Sequence, residues 1–475
     1  MSLSPCRFSV LSVLVVLLAG CAAPLSVTLP RAASDTSCTA AAPDAELLVG
    51  LTLSGGGSRA ALFGQAGLEA LGSLPAPGGG SVLERVMYVS SVSGGGLPAA
   101  YFAKHKPPRE TPMLTPAGTL TEEYRAFFGR FRELVSQDFE SALLWRQLGT
   151  FRWLDSALAA RSLREILEER LLGTGKFADL LAREVRGDSP HMMFNTTLFN
   201  NGRRFVITTV PPEDSRYDFF VDLRRSLAQR GLPADISPWL ERRWQRVLAL
   251  TPHDLHIDPC EFRVAGAVAG SASFPPLVGP FTIRVEGEKR YWHFGDGGLY
   301  ENAGIETLLF VFLKKLQEKK ARRGLIITFD SSFPFDVGER RLSLRAQPFS
   351  LLTYDFSRIP SIMEERAGTY AAFFWRSLQL EGVFPDNDTL RIVVLRHTDA
   401  RWRDDLSDLP EACRQEEPRL ESAEDVVERL AEIPTRFYVA SACDRQLLAV
   451  SAAKVVQQNR EYILELLATR PAPAR

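Results

Sequence analysis

A chain of 475 residues with 45% hydrophobic and 24% charged residues has the composition of a folded protein, long enough for one large domain or two ordinary ones. The formal net charge is −1 and no basic tract of the kind that neutralises phosphates is present, which excludes nucleic acid as the expected partner. The same composition excludes disorder as the default state.

Residues 1–20 carry one charge, Arg7, then an apolar run from Phe8 to Leu18 and the small pair Ala19-Gly20. This is the grammar of a signal peptide, and the run is too short to span a bilayer. Its end, Leu18-Ala19-Gly20-Cys21, resembles the lipobox of bacterial lipoproteins. The resemblance implies an acylated Cys21 as first mature residue, and Ala22 after it implies outer-membrane retention in the cell envelope. An ordinary secretory leader with an incidental Cys21 is the alternative. Cys38, Cys260, Cys413 and Cys443 would then meet an oxidising compartment. None has Cys-x-x-Cys spacing, so zinc and redox motifs are absent; Cys413 with Cys443, both in the same late segment, is the favoured disulfide.

Residues 21–45, rich in Ala, Pro, Ser and Thr, read as a flexible tether. Leu47–Leu53 has the apolar character of a buried strand, then comes Ser54-Gly55-Gly56-Gly57-Ser58-Arg59, and Ala60–Leu71 has helical periodicity. A phosphate-binding loop needs a lysine that this glycine turn lacks. A dinucleotide fingerprint is met loosely, but the acidic residue expected about twenty positions on falls in the uncharged stretch 75–81. The third reading is an oxyanion hole, in which glycine-turn N–H groups at a helix start face developing negative charge.

That reading predicts a nucleophile nearby. The apolar run Val86–Val92, the serine Ser93, the glycines Gly94, Gly95 and Gly96, and a helix-compatible Leu97–Phe102 spell strand, sharp turn and helix, with Ser93 at the apex. Helices are expected over most of 121–172, a hairpin of 192–198 with 204–209 across Asn201-Gly202, and a charged helical insertion over 216–250. His253, Asp254, His256 and Asp258 lack a third ligand at fixed spacing and read as a surface loop, with no metal. A small-residue helix over 265–276 precedes a strand at 281–285, and Asp296-Gly297-Gly298 places a carboxylate in a tight turn, or forms a plain β-turn. A helix over 303–314 and a buried strand over 324–330 continue the alternation of an α/β layered domain. The last segment offers a strand at 391–395 and a final helix over 445–468, without assignable chemistry.

Taken in order, Ser54-Gly55-Gly56-Gly57-Ser58-Arg59-Ala60, Ser91-Val92-Ser93-Gly94-Gly95, Ala269-Gly270-Ser271-Ala272-Ser273-Phe274-Pro275-Pro276 and Asp296-Gly297-Gly298 resemble the patatin-like phospholipase family, leaning to its cytosolic phospholipase A branch. The resemblance implies a three-layer α/β/α fold with a mostly parallel central sheet and helical insertions and a catalytic domain over 46–330; the extension over 331–475 is expected to complete the same domain. The resemblance also implies a Ser93–Asp296 dyad without cofactor or metal, an oxyanion hole from Gly55, Gly56, Gly57 and Gly94, and support from Arg59, Gly95, Gly297 and Gly298. Expected substrates are acyl esters of membrane phospholipids or lysophospholipids; a non-catalytic envelope lipoprotein using the fold for binding is the rival. Ser91, where the elbow pattern has glycine, and Ala60, where patatins have glycine, depart from the family.

Overall fold

A computed structural model describes residues 26–34, 38–150, 152, 156–233, 235–275, 278–334, 358–417 and 419–468. The leader, Cys21, residues 21–25 and 35–37 of the expected tether, Pro276 of the third motif and residues 335–357 of the extension lie outside the described residues.

Among the described residues, nine strands form one sheet: β1 (Val27–Leu29), β2 (Ala45–Leu53), β3 (Tyr88–Val92), β4 (His191–Leu198), β5 (Arg203–Thr208), β6 (Phe281–Val285), β7 (Tyr291–Asp296), β8 (Ala321–Asp330) and β9 (Leu390–Arg396). The order is β1-β6-β7-β4-β3-β2-β8-β9, with β5 on β4. Five pairings are parallel and three, all among β4 to β7, are antiparallel. The central strands are apolar on both faces because helices cover both.

Alternation along each strand sorts the core into two layers. Val49, Leu51, Leu53, Val89, Phe194 and Ile327 lie in one cluster with the helices Gly57–Gly72 and Ala442–Gln458. Leu48, Tyr88, Met193 and Ile326 lie in the other, with Phe310 and Phe312 of the helix Ile305–Gln317 and Trp244 of the helix Pro238–Val247. The result is the α/β/α layering that the resemblance implied. The hairpin is present as β4 and β5, turned at Gly202 with φ 68°.

One expectation is corrected. Residues 26–45 are not simply a tether: β1 adds parallel to β6, pairing Val27 with Ile283 and Leu29 with Val285, and Cys38 is disulfide-bonded to Cys260. A three-residue strand is too short to show a period, and its partner is some 250 residues away, so local pattern carried no sign of it. Cys413 and Cys443 form the second disulfide. Among the described residues, no helix is long and apolar enough to cross a membrane.

The extension adds a strand to the same sheet. β9 runs parallel to β8 from Leu390 to Arg396, and the helix Ala442–Gln458 packs on Gly57–Gly72. The aromatic stretch 370–375 lies on the helix Arg358–Leu380, where Trp375 stacks on Phe384.

Candidate active site

Register brings the motifs together. β2 and β3 are adjacent and parallel, with Leu53 opposite Ser91, so the glycine turn and the elbow leave the sheet side by side at the same strand ends. β4 has β5 along one edge from Met193 to Leu198, so β3 and β7 must share the other. β3 pairs with it up to Val92–Asn195, and antiparallel β7 takes over at Asp296–Thr196. Two strands thus meet end to end on one edge of β4. The residue after one, Ser93, faces the last residue of the other, Asp296.

Ser93 Oγ donates to Asp296 Oδ2 at 2.7 Å. The serine backbone has φ 48°, a left-handed conformation that costs a non-glycine residue about 1–3 kcal/mol and is held only when its surroundings determine it. Ser93 N–H donates to Ser271 Oγ at 2.8 Å, and Ser271 Oγ donates to Asn195 O at 2.6 Å. Gly94 is required by contact: a Cβ there would lie 2.0 Å from the carbonyl oxygen of Gly57, so the elbow and the glycine turn touch through backbone.

Asp296 is buried at 3% exposure. Its Oδ1 accepts from Gly298 N–H at 2.8 Å, its N–H donates to Ser273 O at 2.9 Å and its carbonyl accepts from Thr197 Oγ1 at 2.8 Å. Burial pushes its carboxyl up to about 6, opposed by the hydrogen bonds from Ser93 and Gly298. Such a group is ionised at neutral pH yet basic enough to take a serine proton. His293, three residues earlier, is occupied elsewhere, its Nδ1 2.9 Å from Thr282 Oγ1 on β6.

The expected oxyanion donors divide. Gly55 is corrected: its N–H is spent on Asn302 O at 2.9 Å, because the turn must be anchored before it can present anything. Ser58 N–H is likewise given to Arg436 O at 2.7 Å. Gly56 and Gly57, with φ 138° and 61°, open the helix Gly57–Gly72, where the first amides have no intrahelical partner. Arg59 is buried; its guanidinium donates to Ser331 O at 2.7 Å and Ile433 O at 2.5 Å, so it braces the turn from behind. Gly95 and Gly297 pack on the carbonyls of Leu53 and Asn195, 2.4 Å from where each Cβ would be.

Ser91 fits. It is fully buried on β3, its carbonyl accepts from Asn195 Nδ2 at 3.0 Å, and its hydroxyl has no partner among the described residues. Three residues carry roles that motif reading did not assign. Asn195 Nδ2 also donates to Ser90 Oγ at 2.9 Å, and its Oδ1 accepts from Thr307 Oγ1 at 2.5 Å. Ser271 stood inside a quoted motif without a task. Asn302 anchors Gly55 and lines a cavity of about 560 Å³ that also takes in Tyr300, Glu301, Ser332, Glu364 and Phe373. Burial, reinforced by neighbouring carboxylates, pushes Glu301 up to about 7 and Glu364 up to about 8.

Of the residues from His253 to Asp258, Asp254 caps its own turn by accepting from Thr251 N–H, and His253 is buried. Among the described residues, the one cluster with metal-binding proximity is Cys38, Asp258 and Cys260, whose two sulfurs are already bonded to each other.

No curated protein matches the sequence. Among solved structures, the chain is similar to human GIVD cytosolic phospholipase A2, at 14% identity and a TM-score of 0.40 over 88% of this chain and 60% of that one. The same human protein in complex with methyl gamma-linolenyl fluorophosphonate gives 16% and 0.39 over 89% and 58%. VipD from Legionella pneumophila gives 10% and 0.31 over 93% and 70%. The chain spans about three fifths of the human protein's length. The family model of patatin-like phospholipase matches residues 51–309, more than half of the chain and all four motifs. The chain belongs to the patatin-like phospholipase family.

Proposed function

We propose that the protein is a serine acyl hydrolase that cleaves acyl esters of phospholipids or lysophospholipids through Ser93 and Asp296. The observation that carries this reading is the 2.7 Å bond between Ser93 Oγ, on a left-handed elbow, and a buried carboxylate of raised proton affinity. Ser93 Oγ attacks the ester carbonyl carbon as its proton passes to Asp296 Oδ2. Negative charge gathers on the carbonyl oxygen, to which the N–H groups of Gly56, Gly57 and Gly94 are assigned as donors. The tetrahedral intermediate expels the alcohol, which leaves with the proton from Asp296. Water then attacks the acyl-serine, giving a proton to Asp296; Ser93 recovers it as the fatty acid departs. Transfer to another alcohol instead of water makes the same site an acyltransferase.

The lipobox-like end of the leader supports a place at the cell envelope, held by acylated Cys21. β1 begins six residues after that cysteine, a reach of roughly 20 Å when extended, which keeps the domain close to the lipid that would be its substrate.

Ser93→Ala is expected to abolish release of fatty acid from mixed phospholipid vesicles and to remove fluorophosphonate labelling, which in the parent protein falls on Ser93 in a peptide map. Hydrolysis that survives in Ser93→Ala overturns the mechanism. A parent protein that is neither labelled nor active would instead favour the binding-module reading. Cys21→Ser is expected to move the protein from the membrane to the soluble fraction.

A further inference from the structure

We infer that Ser271 is a positioning residue for the nucleophile, acting as a hydroxyl inserted between two backbones where β3 leaves the sheet. β3 pairs with β4 as far as Val92 opposite Asn195. One residue later the chain turns to φ 48° and can no longer follow the ladder. Ser271, at the end of the helix Val264–Ser271, supplies both halves of the missing connection: its Oγ accepts from Ser93 N–H at 2.8 Å and donates to Asn195 O at 2.6 Å. A hydroxyl can accept and donate at once, which a methyl group cannot. Ser271 is fully buried, so water is poorly placed to replace it.

The platform beneath is itself fixed. Asn195 Nδ2 holds Ser91 O and Ser90 Oγ, and Oδ1 takes the hydroxyl of Thr307, tying β4 to the elbow strand and to the helix after Asp296. Asn195 O also abuts Gly297, where a Cβ would come within 2.4 Å, so the same carbonyl seats the turn that carries the base. Ser271 thereby fixes Ser93 relative to Asp296 without touching substrate. Losing it orphans Ser93 N–H and Asn195 O and frees the strained elbow to relax.

This inference rests on the hydrolase reading. Ser271→Ala is expected to lower kcat about tenfold or more with KM within about twofold, the mark of a loss confined to the chemical step. Because the hydrogen bond from Ser93 opposes the rise in Asp296, loosening it should move the acid limb of the pH profile upward. Ser271→Thr keeps the hydroxyl and should restore both kcat and the limb. If Ser271→Ala does not fold, Ser271→Cys carries the test, since a thiol accepts and donates only weakly and should move the limb the same way. An unmoved acid limb in Ser271→Ala or Ser271→Cys, or wild-type kcat in Ser271→Ala, overturns the proposal. A parent protein without hydrolysis or labelling overturns the hydrolase reading as well, whereas an active parent with an unchanged Ser271→Ala overturns this inference alone.

Discussion

At the scale of single residues, the site trades stability for reactivity at Asp296. Its carboxyl titrates near 3.8 in the unfolded chain and near 6 when folded, so the native state binds the proton more tightly. Stability from this group is therefore greatest below pH 4, falls as pH rises from about 4 to 6, and is flat above, at a cost of about 3 kcal/mol. Asp296→Asn removes the titration. It should lose hydrolysis yet melt higher than the parent at pH 7.5, with the gap shrinking toward pH 4. Thermal denaturation at the two pH values measures it, and equal gaps at both would show that the burial of this charge is not what limits stability. Activity should follow the opposite course, with kcat/KM rising through an apparent pKa near 6 as Asp296 ionises.

At the scale of elements, the site consists of turns pressed against one another through backbone. The glycine turn, the elbow and the Asp-Gly-Gly turn each put a glycine where the next element's carbonyl stands. Gly94→Ala should therefore be more damaging than its size suggests, because Gly57 O, 2.0 Å from the new Cβ, is part of the main chain and cannot rotate away. The expected outcome is a loss of labelling at Ser93 of about a hundredfold or more, with a lowered melting temperature. These turns were legible in the sequence because each is a local event of strand, small residues and helix. The β4–β5 hairpin and the β8 strand were legible for the same reason, and β6 was read to its end residues. What local pattern could not reveal was pairing at a distance: β1 on β6, the spending of Gly55 N–H on Asn302 O, and the insertion of Ser271 between Ser93 and Asn195. None of these leaves a period or a spacing, since the partners lie some 80 to 260 residues apart. Ser91, where the elbow pattern has glycine, is a fully buried residue of β3.

At the scale of the molecule, the site depends on a segment that contributes no catalytic group. Ser58 N–H and the Arg59 guanidinium, immediately after the glycine turn, are satisfied by the carbonyls of Arg436 and Ile433. A chain ending at 330 would leave a buried cation short of acceptors, an unpaired amide and an uncovered β8, and is expected not to fold. The extension is in turn tied down by Cys413–Cys443, which closes a loop of 30 residues at the start of the helix packed on Gly57–Gly72. Chain-entropy reasoning puts that crosslink at about 3–4 kcal/mol. Replacing both cysteines by serine should lower stability by about that amount in urea titrations, with a somewhat steeper slope because the uncrosslinked denatured chain exposes more surface. Neither half-cystine takes part in the hydrogen bonds that hold Ser93 and Asp296, so kcat of the folded fraction should hold at low temperature. On warming, hydrolysis should fail before the far-ultraviolet signal of the sheet is fully lost if the contacts at Ser58 and Arg59 are the first released. Loss of both signals in one transition would instead make the extension inseparable from the sheet, with no intermediate in which the glycine turn alone comes free.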